Sequence, residues 1–350
     1  MNTTPESLRS AAAERAAQLG LPSRTLEDWR QVDVKPLAEV AFTGVIAGCP
    51  DATLPLATGE ALEREAERLA AEIEAPACWS WAGDTRQLTV RGSGNRLRLN
   101  HHLTGGLGAW RLLLDVAPGA TLDLELDHRI AAGACASIGI VARLGAGAVV
   151  RVAEHAGTPV GRLLVHADLT LDRDANLTWT SASRGGELLR HRCVAHLIGT
   201  HAQVDLAAID VADGTRQAHR LVRVHHHVGP STSHQLFKTV LHDKALASFD
   251  GLIAIDKGAD GSAAEQMCRH LVLSPGAHAD ARPQLDVRAD EVTAGHGATI
   301  GPLGEDEVMY LRMRGLPIET ATRLLTTGFV HEVADRMAWA FAPQAFLGDV

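Results

Sequence analysis

Through most of the chain, apolar and polar residues alternate one by one in short runs. Leu88-Thr89-Val90, Leu97-Arg98-Leu99, Leu122-Asp123-Leu124-Glu125-Leu126 and Val149-Val150-Arg151-Val152 are examples. A period of two places successive side chains on opposite faces of a strand, and each run is bounded by Gly, Asp, Asn or Pro. The alternation begins near Trp79. Before it, spacing is helical. Thr4 can cap a helix with Pro5 at its first position. Leu8, Ala12, Ala16 and Leu19 follow on one face, and Gly20 can close it. A second helix is predicted from Gly59 to Ala75, with Leu62, Ala66, Leu69 and Ile73 as its stripe and Pro76 ending it. After Gly301 helical spacing returns. Glu305-Asp306-Glu307 puts acid in a first turn, where the dipole favours it, and Gly315 can close that helix. Pro317 opens another, carrying Ala321, Leu324, Leu325, Gly328 and His331 and extending to Met337.

A longer period overlies the alternation. Small-residue turns ending in alanine precede strands at Gly119-Ala120, Gly147-Ala148, Asp174-Ala175 and His201-Ala202, so the alanines lie 28, 27 and 27 residues apart. Lys244-Ala245, Gly276-Ala277 and Gly297-Ala298 repeat the pair with looser spacing. Such a period marks a solenoid, in which each coil buries its inner face against its neighbours. A β-sandwich is the plainer alternative. The expected fold is mainly β: a right-handed parallel β-helix over 79–302, a helical region at 1–78 and another at 303–350.

Composition narrows the function. With 350 residues there is no apolar run of membrane-spanning length and no leader pattern at the start, so we expect no membrane segment and a cytoplasmic location. A formal charge of −9 argues against nucleic acid as a partner. The five cysteines, Cys49, Cys78, Cys135, Cys193 and Cys268, are odd in number and far apart, which suits reduced thiols rather than disulfides or a zinc ribbon. No Gly-x-x-x-x-Gly-Lys-Ser/Thr loop occurs, so ATP hydrolysis belongs to a partner if it is involved.

The candidate chemistry centres on Pro283–Gly301, read as strand, turn, strand and tight glycine turn. His296 stands there between Gly295 and Gly297; it is either a metal ligand or a histidine held in a turn by backbone hydrogen bonds. His225-His226-His227, with His219 and His234 nearby, resembles a metal tract, but on a strand only His225 and His227 can converge. Cys268 beside Arg269 and His270, and Cys193, are thiols of the second half, with buried inert cysteine the commoner case. Asp250 and Asp256 are the carboxylate pair that a carbohydrate-active β-helix would need.

The order of these elements resembles the SufB/SufD family, which serves iron–sulfur cluster assembly. Arg24-Thr25-Leu26-Glu27-Asp28-Trp29-Arg30-Gln31-Val32-Asp33 resembles that family's opening motif. Gln235-Leu236-Phe237-Lys238, Ser248-Phe249-Asp250-Gly251, Asp260, Ala264-Glu265-Gln266 and Leu271-Val272-Leu273-Ser274 follow in order. Pro283-Gln284-Leu285, Asp290-Glu291-Val292, His296-Gly297-Ala298-Thr299 and Tyr310-Leu311-Arg312-Met313-Arg314-Gly315 complete the series. Gly297 after His296 resembles the SufD branch. The sequence departs at Ala294, where many members carry Cys, and at Arg269-His270, which replaces an Asn-rich approach.

The resemblance implies a non-catalytic scaffold in a SufBCD-type complex. It would pair with a SufB-type paralogue through the end of the β-helix and bind a SufC-type ATPase through the C-terminal helices, with Glu305, Asp306, Tyr310, Arg312 and Arg314 as contact candidates. No permanently bound cofactor is implied, only a transient iron–sulfur cluster at the subunit interface, with His296 as candidate ligand. In isolation the exposed end can pair with a second copy.

Overall fold

The computed structural model describes residues 3–341 except 39, 41–44, 52 and 73. Ile73, counted above in a helical stripe, and positions 342–350 lie outside the described residues. Helix α1 (Pro5–Leu19) starts and stops as its sequence predicts. Thr4 and Ser7 cap it reciprocally, the Ser7 amide donating to Thr4 Oγ1 at 3.1 Å, and Gly20 closes it at φ 66°. Helix α2 (Lys35–Ala38) and strand β1 (Val45–Ala47) follow, so the region read as wholly helical contains a strand. Helix α3 (Glu60–Ala71) is shorter than expected. The chain turns extended at Glu72, and Pro76 lies in the first turn of α4 (Ala75–Cys78), where its missing N–H leaves no bond unmade.

From Asp84 the chain winds as a solenoid. Strands β2 (Asp84–Val90), β3 (Asn95–Leu103) and β4 (Leu107–Val116) lead into two long ones, β5 (Thr121–Leu144) and β6 (Val149–Leu171). Then come β7 (Asn176–Ser183), β8 (Leu188–Leu197), β9 (Gln203–Ala212), β10 (Gln217–His226) and β11 (Thr232–Leu241). β12 (Leu246–Ile255), β13 (Ala263–Val272), β14 (His278–Val287) and β15 (Thr293–Gly301) finish it. The strands pair in parallel, each with its counterpart one coil away. Sheet I runs β2, β4, the second half of β5, the second half of β6, β8, β10, β12, β14. Sheet II runs β3, the first half of β5, the first half of β6, β7, β9, β11, β13, β15. About eight coils result.

The alanine repeat is the corner of the solenoid. At Ala120, Ala148, Ala175 and Ala202 the amide donates to the carbonyl three residues back, at 2.9–3.3 Å, and each alanine is fully buried. The residue before it has φ near 60°, which Gly119 and Gly147 adopt freely and Asp174 and His201 adopt as polar residues able to. These four turns lead from sheet I to sheet II. Ala245 and Ala277 belong to the opposite corner, which explains their looser spacing. Gly297-Ala298 is no turn at all, because it lies inside β15.

In-register stacking builds the core as columns. Leu112, Ile140, Ala167, Cys193 and Val222 stack inside sheet I, none more than 3% exposed. Burying each large member contributes about 1.5–3 kcal/mol. The interior also holds charge. Glu154 accepts from Trp179 Nε1 at 2.9 Å and lies 3.1 Å from His191 Nε2. Burial opposes its ionisation, yet His191 and His128 hold its carboxyl well below the usual range.

Helices cover the outer faces. α4 and the 3-10 turn Trp79–Ala82 lie on sheet I, with Cys78 and Trp81 in one buried cluster with Leu113, Val141 and Leu164, and α1 and α3 complete that cluster from outside through Leu8, Ala12, Leu62 and Leu69. α5 (Glu305–Met313) and α6 (Ile318–Ala334) follow β15, and α6 packs on sheet II through Ala334, Val333 and Val330 against Ile209, Val211 and Val240. Its stripe differs from the expected one: Leu324 is exposed, and Thr326 and Val330 are buried instead. The α-helix ends at Ala334, with a 3-10 turn over Asp335–Met337.

Candidate functional site

β14 and β15 are the last strands of their sheets, and neither has a neighbour beyond it among the described residues. The register shows which side chains meet the opening. β15 pairs Ala294 with Ala264, His296 with Gln266, Ala298 with Cys268 and Ile300 with His270. Ala264, Gln266, Cys268 and His270 are buried inside β13, so their partners on β15 face the same interior at its uncovered end. On β14 the equivalent positions include Pro283, Leu285 and Val287, stacked on Gly251, Ile253 and Ile255. Ile300, Val287 and Leu285 are therefore 49%, 41% and 37% exposed.

His296 is exposed and lies in mid-strand, not in a glycine turn. Its neighbours have a packing reason. A Cβ at Gly297 would lie 2.8 Å from Met267 Cε, so glycine there leaves room for the methionine beneath. Behind His296 runs a file of amides: Gln266 Nε2 donates to Gln235 Oε1 at 2.7 Å. Gly251 makes space for it, since a Cβ there would meet Gln266 Oε1 at 2.4 Å. On the same strand as Gln266, Cys268 Sγ lies 3.2 Å from His270 Nε2. Burial pushes the Cys268 thiol up and lowers His270 to about 4, so both are neutral at pH 7. Cys193 is likewise a buried core member, its thiol pushed up to about 12 by burial.

The histidine tract divides between two faces. His226 is fully buried inside, 2.8 Å from Ser231 Oγ and 2.9 Å from Ser233 Oγ. His225 and His227 lie together outside, their near-parallel rings grouped with that of His196, whose Nδ1 is 2.9 Å from His227 Nε2. Sequence spacing could not show His196, which reaches His225 only through the coil register. His219 is buried between Gln217 and Ser248, and His234 is exposed on β11. Among the described residues, no three His, Cys, Asp or Glu side chains are grouped to hold a metal ion. The carboxylate pair also separates. Asp250 is ion-paired with Arg223 and Arg282, and Asp256 lies 2.8 Å from His227 Nδ1. Six residues of strand keep them about 20 Å apart, which does not suit glycosidic catalysis.

The motif around Trp29 is a strap across sheet I. Trp29 is fully buried with the Arg190 guanidinium 4.0 Å over its ring. Arg190 on β8 donates to the Asp28 carbonyl, and Arg223 on β10 pairs with the Asp28 carboxylate at 3.2 Å. Arg282 on β14 pairs with Glu27 at 2.5 Å and with Asp250. Gln217 closes it, accepting from the Asp33 amide at 3.1 Å.

α5 buries none of its residues. Glu305, Asp306, Tyr310, Arg312 and Arg314 are all exposed, and Arg314 donates to Tyr310 Oη at 3.2 Å. Sequence reasoning missed Met309 and Met313, which are 61% and 72% exposed. Their spacing of four along one helix face was the available signal. Lys238 anchors α6, donating to the Phe329 carbonyl at 3.0 Å and pairing with Glu332.

Residues 102–329 match the family described as SUF system FeS cluster assembly, SufBD core domain. The iron-sulfur cluster assembly protein SufD of Escherichia coli (strain K12) is 29% identical over 179 residues, 51% of this chain and 42% of that protein. The SufD protein of Bacillus subtilis (strain 168) is 31% identical over 166 residues, 47% of this chain and 38% of its own. The chloroplastic protein ABCI7 of Arabidopsis thaliana is 34% identical over 157 residues, covering 44% and 33%. The matched segment thus spans less than half the length of each relative. With a parallel β-solenoid in place and the family match running from β3 into α6, this chain belongs to the SufBD core family of the SUF iron–sulfur cluster assembly system.

Proposed function

We propose that the chain is a non-catalytic assembly subunit of the SufD type, acting in the cytoplasm within a SufBCD-type complex. The observation that carries this is the uncovered end of the solenoid. Two unpaired strand edges and exposed Leu285, Val287 and Ile300 surround one imidazole. An exposed, in-register parallel edge invites another strand, and a SufB-type paralogue with the same coil geometry would continue both sheets. The nascent iron–sulfur cluster is cargo at that junction. His296 supplies one ligand from this side, and with Ala294 beside it the thiolates come from the partner. A SufC-type ATPase docks on α5, where Met309, Tyr310 and Met313 expose apolar surface beside Arg312 and Arg314. Aromatic and arginine side chains are favoured anchors of such contacts. Without the paralogue, a second copy of the chain covers the same end.

The test is co-expression with a SufB-type subunit and a SufC-type ATPase. The three chains should co-purify. His296→Ala should lower cluster loading of the complex, read by visible absorbance and bound iron, while melting stays unchanged. Undiminished loading removes His296 from the role. Failure of the chain to associate with any SufC-type ATPase overturns the reading as a whole.

A further inference from the structure

A cavity of about 330 Å³ lies away from the open end, between α3 and the outer face of sheet I. Its floor is one in-register column: Arg111 on β4, Gly139 on β5, His166 on β6 and Arg192 on β8. Gly139 is a requirement of the column. A Cβ there would lie 2.3 Å from Arg111 Nη1, so the glycine lets the guanidinium lie across the strand. Arg111 is then fixed by Glu65 Oε2 at 2.8 Å, Ser80 Oγ at 2.9 Å and the Trp81 ring at 3.6 Å. His166 is 6% exposed, and neither ring nitrogen has a hydrogen-bond partner. Arg192 Nε has none either, and the nearest acids to its guanidinium, Glu72 and Glu74, stand 3.8 and 4.0 Å away.

Buried polar groups are normally satisfied, so donors left open around a cavity point to what fills it. The other carboxylates here are occupied. Asp168 pairs with Arg68, and Glu65 takes Arg111 and Trp81 Nε1. The charged groups that act most on His166 are Arg192, Arg190 and Arg111, which with burial hold its imidazole neutral. Arg68, Arg111 and Arg192 line the cavity together with Glu72 and Asp168, and the donors left without a partner are one imidazole N–H of His166 and the Nε–H of Arg192. We propose that this cavity binds a compact oxyanion of the phosphate or sulfate class, held by His166 and Arg192 beneath the N-terminal helices. The site is independent of the partner-facing end and of the assembly reading.

Equilibrium dialysis of the full chain against labelled inorganic phosphate, and separately sulfate, at fixed chloride tests it. Saturable uptake near one per chain is expected. Arg192→Gln should weaken it by about tenfold or more, as loss of a charged hydrogen bond does. His166→Gln should weaken it too, whereas Arg151→Gln on sheet II should not. In the unmutated chain, phosphate should move the His166 ring nitrogen resonances. If Arg192→Gln does not fold, His166→Gln and the ring resonances decide. Absence of saturable uptake, or uptake unchanged in the variants, means that water fills the cavity and overturns the proposal.

Discussion

His226 shows what a single residue does inside this solenoid. Both ring nitrogens meet serine hydroxyls in a fully buried site. Burial, then His225 and His227, lower its pKa to about 4. The sign follows from linkage. Between about pH 6.5, the unfolded value, and about pH 4 the unfolded chain binds a proton that the folded one refuses, so stability is complete above the window and falls as pH drops through it. His101 and His219, lowered to about 3 by burial, act in the same direction. Urea unfolding from pH 7 to pH 4.5 should therefore show a steady loss of stability. His226→Gln should be less stable than the parent at pH 7, by about 1–3 kcal/mol for the disturbed hydrogen bonds. The gap should narrow toward pH 4.5. A gap that is constant with pH would rule out the buried neutral imidazole.

At the scale of elements, the strap around Trp29 ties coils that sequence order keeps far apart. Arg282→Ala should free Glu27 from β14 while Arg223 still neutralises Asp250. We expect faster amide exchange confined to β14 and the Glu27–Trp29 turn, with β8 and β10 unchanged. Uniform acceleration would mean that the strap is not a local fastener. The solenoid itself was legible in the sequence, because alanine corners and period-two runs are local features imposed by backbone geometry. The place of His296 was not. Glycines on both sides suggest a turn, but Gly297 is small because Met267 lies over it from the coil below, a contact 30 residues away in the chain. The stacking of His196 on His225 was hidden for the same reason. Where α3 ends was misjudged because Pro76 also suits the start of a short helix.

At the scale of the molecule, the two ends of the solenoid are unequal. At one end β1 and β2 both flank β4 and β3 lies on β5, while the other ends on β14 and β15. Ile300→Arg should leave the monomer folded, since the residue is half exposed. It should abolish partner association, measured by light scattering and co-purification. Unchanged association would move the interface elsewhere.

The seating of α6 has a mechanical consequence. Its grip on sheet II is at β7, β9 and β11, and the segment just after it adds Arg336 reaching Asp205 on β9 and Trp339 under Arg151 of β6. A force applied to α6 therefore enters the solenoid several coils behind the open edge. It loads parallel ladders together in shear, and does not peel β15 away one bond at a time. α6 can be pulled or turned while the edge that carries His296 keeps its shape, whereas α5, joined to β15 through residues 302–304, passes its movement to that edge directly.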